Sequence, residues 1–168
     1  MTSQSHYTIR PLAPDDEPTL WDMLYHAIFV AEGATPAGRD VLDQPEIARY
    51  VRSWGRAGDS GFIALETKSG QPIGAAWLRL FADGDRGYGT IDETVPELSI
   101  AVTPEYRGRG IGTRLLTQLL RGAAKHFTAV SLSVAADNPA LRLYRRLGFE
   151  IVGRSGTALT MRKELRIE

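Results

Sequence analysis

Between Glu97 and Ala135 the chain reads as strand, glycine-rich turn, amphipathic helix and strand, and this unit constrains the fold more than any other segment. Glu97-Leu-Ser-Ile-Ala-Val102 predicts a buried strand that Thr103-Pro104 ends, because proline has no ladder N–H and restricts the residue before it. Ile111, Leu115, Leu116, Leu119 and Leu120 fall along one side of a helix predicted over 110–126. Val130-Ser-Leu-Ser-Val134 alternates apolar and hydroxyl side chains, as a strand does. The turn itself is Arg107-Gly-Arg-Gly-Ile-Gly112, whose glycines at 108, 110 and 112 let the backbone curl and approach a ligand closely. Amides at the start of the following helix lack intrahelical acceptors, and the helix dipole favours an anion there. Arg107 and Arg109 add guanidinium donors suited to phosphate. The turn therefore suits a diphosphate-bearing ligand beside the C-terminal end of a strand, although glycines that merely cap a strand would give the same hexapeptide. No Gly-Lys-Ser/Thr ending is present, so a Walker-type loop is excluded, and the third glycine of a dinucleotide-binding Gly-x-Gly-x-x-Gly would fall on Thr113.

The remaining elements are read around this unit. Residues 7–12 predict a first strand, and Ala13-Pro-Asp-Asp-Glu-Pro18 opens a helix carrying Leu20, Trp21, Leu24, Ile28 and Phe29 through about Val30. After a polar loop over 32–44, Pro45-Glu46 opens a second helix with Ile47, Tyr50, Val51 and Trp54 on one face, stopped by Gly55. Phe62–Leu65 and Ile73–Phe81 predict a hairpin around Lys68-Ser-Gly-Gln-Pro72. Residues 82–94 read as a loop or an interrupted strand. Asp137-Asn-Pro139 starts a short helix ending at Gly148, and two last strands over 149–152 and 157–165 turn at Ser155-Gly156. With no repeat, low-complexity tract or linker, residues 1–168 are expected to form a single domain.

Composition removes several functions. The 20 basic and 20 acidic side chains cancel, which argues against bulk attraction to nucleic acid or an anionic membrane. The absence of cysteine excludes disulfides, cysteine-ligated zinc and a cysteine-linked acyl-enzyme. His6, His26 and His126 lack metal-ligand spacing, so no metal is expected. Met1–Arg10 lacks a secretory pattern and no apolar run approaches the roughly 20 residues of a membrane span, so a cytoplasmic location is expected.

The turn also matches the acyl-CoA-binding motif Gln/Arg-x-x-Gly-x-Gly/Ala, and Val102-Thr-Pro-Glu-Tyr-Arg-Gly resembles the usual entry to it. Asn138-Pro-Ala-Leu-Arg-Leu-Tyr-Arg-Arg-Leu-Gly-Phe149 is similar to a second signature, Asn-x-x-Ala-x-x-x-Tyr-x-x-x-Gly-Phe, with Ala140 two residues after Asn138 rather than three. The chain thus resembles the GNAT N-acetyltransferases, strongly over Glu97–Phe149 and loosely before. The resemblance implies an α/β (α+β) fold: a mixed, mostly antiparallel sheet with splayed fourth and fifth strands, flanked by helices on both faces.

Carried onto this chain, the resemblance implies acetyl-CoA, or another acyl-CoA, as co-substrate. Its pyrophosphate would meet backbone amides of Arg107, Gly108, Arg109, Gly110, Ile111, Gly112 and Thr113. A bulge would splay the fourth strand from the fifth, and the pantetheine arm would lie in the gap against backbone groups of Ile100, Ala101 and Val102. Asn138 would hydrogen-bond that arm, and Tyr144 would sit beside the thioester sulfur. The expected reaction is direct attack by a primary amine in a ternary complex, on a small molecule, peptide or protein. Such an amine, with a pKa of about 10.4, must lose a proton at neutral pH, which calls for a carboxylate base. Glu97 is the candidate and Glu93 the runner-up, with Tyr144 as donor to the departing thiolate. Blander roles stand beside these: Glu97 as a strand-entrance partner, Asn138 as an N-cap, Tyr144 as a core aromatic. Asp83, Asp85, Asp92 and Glu93 around Arg86 would attract a cationic acceptor or form only a solvated loop. The alternative function is a CoA-binding sensor without turnover. A homodimer is among the expectations, since dimers are frequent in that family.

Overall fold

Strands β1 (Tyr7–Pro11), β2 (Ser60–Glu66), β3 (Pro72–Arg79), β4 (Glu97–Val102), β5 (Ala129–Ala135), β6 (Glu150–Ser155) and β7 (Ala158–Glu164) form one sheet in the order β1-β2-β3-β4-β5-β7-β6. Every neighbouring pair is antiparallel except β4 and β5, which run parallel. The computed structural model describes residues 6–82 and 84–167; Asp83, one of the four acids of the 82–94 loop, lies outside them, as do residues 1–5.

Helices cover both faces. α3 (Ile111–Ala123) lays Ile111, Leu115, Leu116 and Leu119 on Ala76, Leu78 and Leu98, in a core shared with Leu132 and Val134. Each of these fully buried leucines contributes about 2 kcal/mol relative to leaving it exposed. On the other face α1 (Glu17–Ala27), through Leu20, Met23 and Leu24, packs with Tyr50, Val51 and Trp54 on Ala75, Trp77 and Ala101. Because side chains alternate along a strand, Leu98, Ile100 and Val102 serve the α3 core while Glu97, Ser99 and Ala101 face α1. β3, buried along nearly its whole length, supplies both cores. The expected sheet, with helices on both faces, is therefore the observed one. No helix among the described residues is long and apolar enough to cross a membrane.

Two helices are shorter than their periodicity predicts. α1 starts after a 3-10 turn at Pro14–Asp16 and ends at Ala27. α2 is a single turn, Pro45–Ala48, although the apolar pattern continues to Trp54. The reason lies on β3. Arg79 donates to the carbonyls of Arg49 (3.0 Å) and Arg52 (2.6 Å), and Trp77 Nε1 to that of Tyr50 (3.0 Å). Those carbonyls would otherwise accept the next turn of a helix. Arg79 is itself buried, 1% exposed, and pairs with Asp59 at 2.8 Å. The backbone of 49–55 thus becomes a set of acceptors for β3, and Ser53 takes a positive φ of 62° as the segment turns away. Tyr50, Val51 and Trp54 still reach the core, as their spacing predicts.

Candidate active site

β4 and β5 make one pair, Glu97 opposite Ser131, with Ser131 N–H donating to Pro96 O at 3.0 Å. Beyond that pair the strands diverge, so the expected splay is present. It arises without the expected bulge: β4 keeps an unbroken register on β3 from Glu97↔Arg79 to Val102↔Gly74. Thr103 N–H continues that ladder to Ile73 O. Backbone groups alternate sides along a strand, so Ala101 turns its main chain to β3 while Ile100 and Val102 turn theirs to the divergence. Of the three strand residues expected to offer backbone to a ligand, Ala101 is therefore committed to β3, and the Val102 carbonyl accepts Arg107 Nε at 2.9 Å.

The turn from β4 into α3 passes through a 3-10 turn at Pro104–Tyr106, then Gly108 and Gly110 at φ 76° and 81°. Only glycine takes such values readily, and neither position is crowded: a Cβ at either would meet no atom within 4 Å. The amide of Arg107 bonds Pro104 O at 3.4 Å, and that of Arg114 bonds Gly110 O at 3.2 Å. Between them, the amides of Gly108, Arg109, Gly110, Ile111, Gly112 and Thr113 have no acceptor among the described residues. Gly110 N-caps α3 without any side-chain bond to those amides. Gly112 lies against Ile100 (3.6 Å from its ideal Cβ), Val102 and Leu143, which sets the open amides beside the end of β4.

The two arginines of the turn have different protein partners. Arg107 is exposed and donates from Nε to Val102 O at 2.9 Å and from Nη2 to His26 O at 3.3 Å. It ties the turn to β4 and to the end of α1, so its contribution is to hold the loop in shape. Arg109 lies over the Tyr106 ring, 5.1 Å from its centroid.

α4 (Ala140–Arg146) carries the second signature. Asn138 Oδ1 accepts the Ala140 amide at 2.9 Å, so the capping role is real, while its amide nitrogen is left without a protein partner among the described residues. Tyr144 is 7% exposed, edge-on to Phe149 at 5.9 Å. Burial pushes its phenol up to about 12, so it stays protonated at neutral pH. Its hydroxyl makes no hydrogen bond within the described residues.

Glu97 stands on the opposite face, 3% exposed. Its Oε2 accepts the Tyr50 hydroxyl at 2.5 Å, and its Oε1 accepts the Gly89 amide at 3.0 Å and Thr90 Oγ1 at 3.2 Å. Burial outweighs these donors and pushes the carboxyl up to about 7. The segment Gly87–Thr90 folds over it. A Cβ at Gly89 would come within 2.6 Å of Leu132 C and 2.7 Å of Ser133 N, so this loop lies directly on β5 where it leaves β4.

The loop acids have local work. Asp85 approaches Arg56 at 3.7 Å and Arg49 at 4.0 Å, and Asp92 accepts the Thr94 amide and hydroxyl at 2.7 and 2.6 Å. Glu93 is exposed and takes no part in the Glu97 network. Arg86 donates to the carbonyls of Thr90 and Ile91 rather than to an acid. Tyr50, Gly87, Tyr88, Gly89 and Thr90 are the participants that sequence reasoning missed. The spaced glycines at 87 and 89 were the one available signal, and they read equally as an ordinary loop.

The sequence matches the model of the Acetyltransferase (GNAT) family over residues 21–149. It is 31% identical over 144 residues to a mycothiol acetyltransferase of Arthrobacter sp. (strain FB24), covering 84% of this chain but 42% of that protein. It is 31% identical over 152 residues to an uncharacterized N-acetyltransferase of Methanocaldococcus jannaschii, covering 86% of this chain and 61% of that one. The likeness is thus to a part of each. In fold it superposes on a GNAT superfamily phosphinothricin acetyltransferase from Sinorhizobium meliloti in complex with AcCoA, with a TM-score of 0.68 at 23% identity, over 96% of this chain and 90% of that one. The chain belongs to the acetyltransferase (GNAT) family.

Proposed function

We propose that this protein transfers an acyl group, acetyl in the simplest case, from a coenzyme A thioester to a primary amine by direct attack in a ternary complex. The observation that carries the proposal is the run of six open amides from Gly108 to Thr113 at the start of α3, beside the splayed end of β4. A diphosphate supplies the acceptors that such a run lacks. Room beside Gly108 and Gly110 lets it approach the main chain. The Ile100 and Val102 backbone edge and the free amide nitrogen of Asn138 are then the partners of the pantetheine arm.

The two titratable groups suit the two proton movements. The amine nitrogen attacks the thioester carbonyl carbon, forming the C–N bond. Glu97, which keeps one of its four acceptor sites on Oε2, takes the N–H proton directly or through one water. A carboxyl raised to about 7 is well matched to that task near neutral pH. The C–S bond then breaks, and Tyr144 gives its phenolic proton to the thiolate, leaving an amide and free CoA. Solvent exchange returns the proton to Tyr144 and removes that of Glu97. The carboxylate and the phenol approach from opposite faces of the sheet, which keeps acceptor and leaving group apart.

One observation favours the second reading, a CoA-binding sensor without turnover: Glu97 lies beneath the Gly87–Thr90 segment and is almost inaccessible. Calorimetry with acetyl-CoA, followed by CoA release across polyamines, amino acids and peptides with a free N-terminus, separates the readings. Binding with release that falls in Tyr144→Phe supports the enzyme. Binding without release from any amine supports the sensor. No binding at all removes both.

A further inference from the structure

By its spacing Tyr50 is one of four apolar positions on a helix face, yet its hydroxyl is the polar group most tightly built around Glu97. It donates to Glu97 Oε2 at 2.5 Å and accepts the Tyr88 amide at 2.7 Å. The Tyr88 N–H occupies a lone pair of the phenol oxygen, so the phenol's own proton is directed to the carboxylate, and the two bonds polarise one another. The ring cannot swing away. Phe81 meets it edge-on at 5.4 Å, Tyr88 stacks on it at 6.5 Å, and its carbonyl is held by Trp77.

We propose that Tyr50 is the positioning residue of the acceptor side: its hydroxyl orients the Glu97 carboxylate and ties the Gly87–Thr90 segment to it. This rests on the reading of Glu97 as the base. Of the other groups around Glu97, Arg49 draws the carboxyl's pKa down by its charge alone, its donors being held by the carbonyls of Pro45 and Arg86. Arg79, the register partner of Glu97 on β3, is consumed by Asp59 and by the carbonyls of Arg49 and Arg52. Ser131 on β5 brings a buried hydroxyl, and Thr90 and Gly89 bond the other carboxylate oxygen. Thr90 Oγ1 bonds the acid and the Gly87 amide from within the loop, whereas Tyr50 joins acid and loop through one atom from outside it, and Tyr50→Phe removes that atom while keeping the ring.

The test reads the proton on Glu97 itself. In protein labelled with [5-13C]glutamate, the Glu97 signal, assigned by its loss in Glu97→Gln, is titrated in the parent and in Tyr50→Phe. Loss of a charge-assisted donor moves the midpoint up by about one pH unit. Replacing tyrosine with 3-fluorotyrosine, a stronger donor that retains the ring and hydroxyl, moves it down; this arm stands even if Tyr50→Phe does not fold. With an amine that supports turnover, the acid limb of kcat/KM follows the midpoint, and activity one pH unit below the parent limb falls roughly tenfold. A purely structural role would lower kcat/KM equally at every pH. An unmoved midpoint in both substitutions overturns the proposal. Should Glu97→Gln retain full turnover, the base reading falls instead, and the role of Tyr50 in the reaction goes with it.

Discussion

Burying Glu97 costs stability at neutral pH and above, and the cost is measurable. Its carboxyl lies at about 7 in the folded chain against an ordinary 4.5. The folded state therefore holds a proton that the unfolded state has released between those values, and stability falls as pH rises through that window. At about 1.4 kcal/mol per pH unit the difference amounts to about 3 kcal/mol, fully expressed above pH 7. Glu97→Gln imitates the protonated acid and carries no charge to bury. Urea unfolding, followed by fluorescence of the buried Trp54 and Trp77, should find parent and variant similar at pH 4.5. At pH 8 the variant should be more stable by about 3 kcal/mol. Comparing the pair cancels the opposite slopes of Asp16 and Asp92, which hydrogen bonds hold below the usual carboxylate range. With Glu97 as the proposed base, the same variant should also lose turnover. A parent–variant difference that is the same at pH 4.5 and pH 8 would refute the reasoning, because Glu97 would then not titrate in that window.

Gly89→Ala meets the backbone of Leu132 and Ser133 at under 3 Å without any φ penalty, so the Gly87–Thr90 segment must lift. Overpacking and the lost bonds to Glu97 should cost about 3 kcal/mol, seen as a melting temperature roughly 9 °C lower, while Gly84→Ala, strained but uncrowded, costs about 1 kcal/mol. Tyr144→Phe should lower kcat by about tenfold or more and leave the calorimetric affinity for acetyl-CoA within about twofold, because the proposed role of the hydroxyl is to protonate the leaving thiolate. Ser131 Oγ is buried with no hydrogen-bond partner among the described residues. Ser131→Ala should therefore unfold at the same urea concentration as the parent or a higher one, by up to about 1 kcal/mol.

The two halves of the site differ in how far their work depends on tertiary contact. On the α3 face the turn works through its own main chain. Two glycines in the left-handed region and a helix start leave the amides open, whatever packs nearby. On the α1 face nothing local distinguishes Glu97 from any other acid entering a strand. Its character comes from Tyr50, 47 residues earlier in the chain, and from a loop that two glycines allow onto β5.

That contrast marks what the amino-acid order determined alone. Strand, turn, α3 and β5 follow from local periodicity and glycine chemistry, so their order, their apolar faces and the open amides were legible in Glu97–Ala135. The Asn138 cap and the Gly148 stop were legible for the same reason. Only the tertiary structure decided the rest. Arg79 and Trp77 claimed the carbonyls that would have extended α2 past Ala48. Arg107 bonded the carbonyls of Val102 and His26. Glu97 lost its water to a distant phenol and a loop. Each of these is a competition between partners far apart in sequence, settled by which groups burial brings within hydrogen-bond reach.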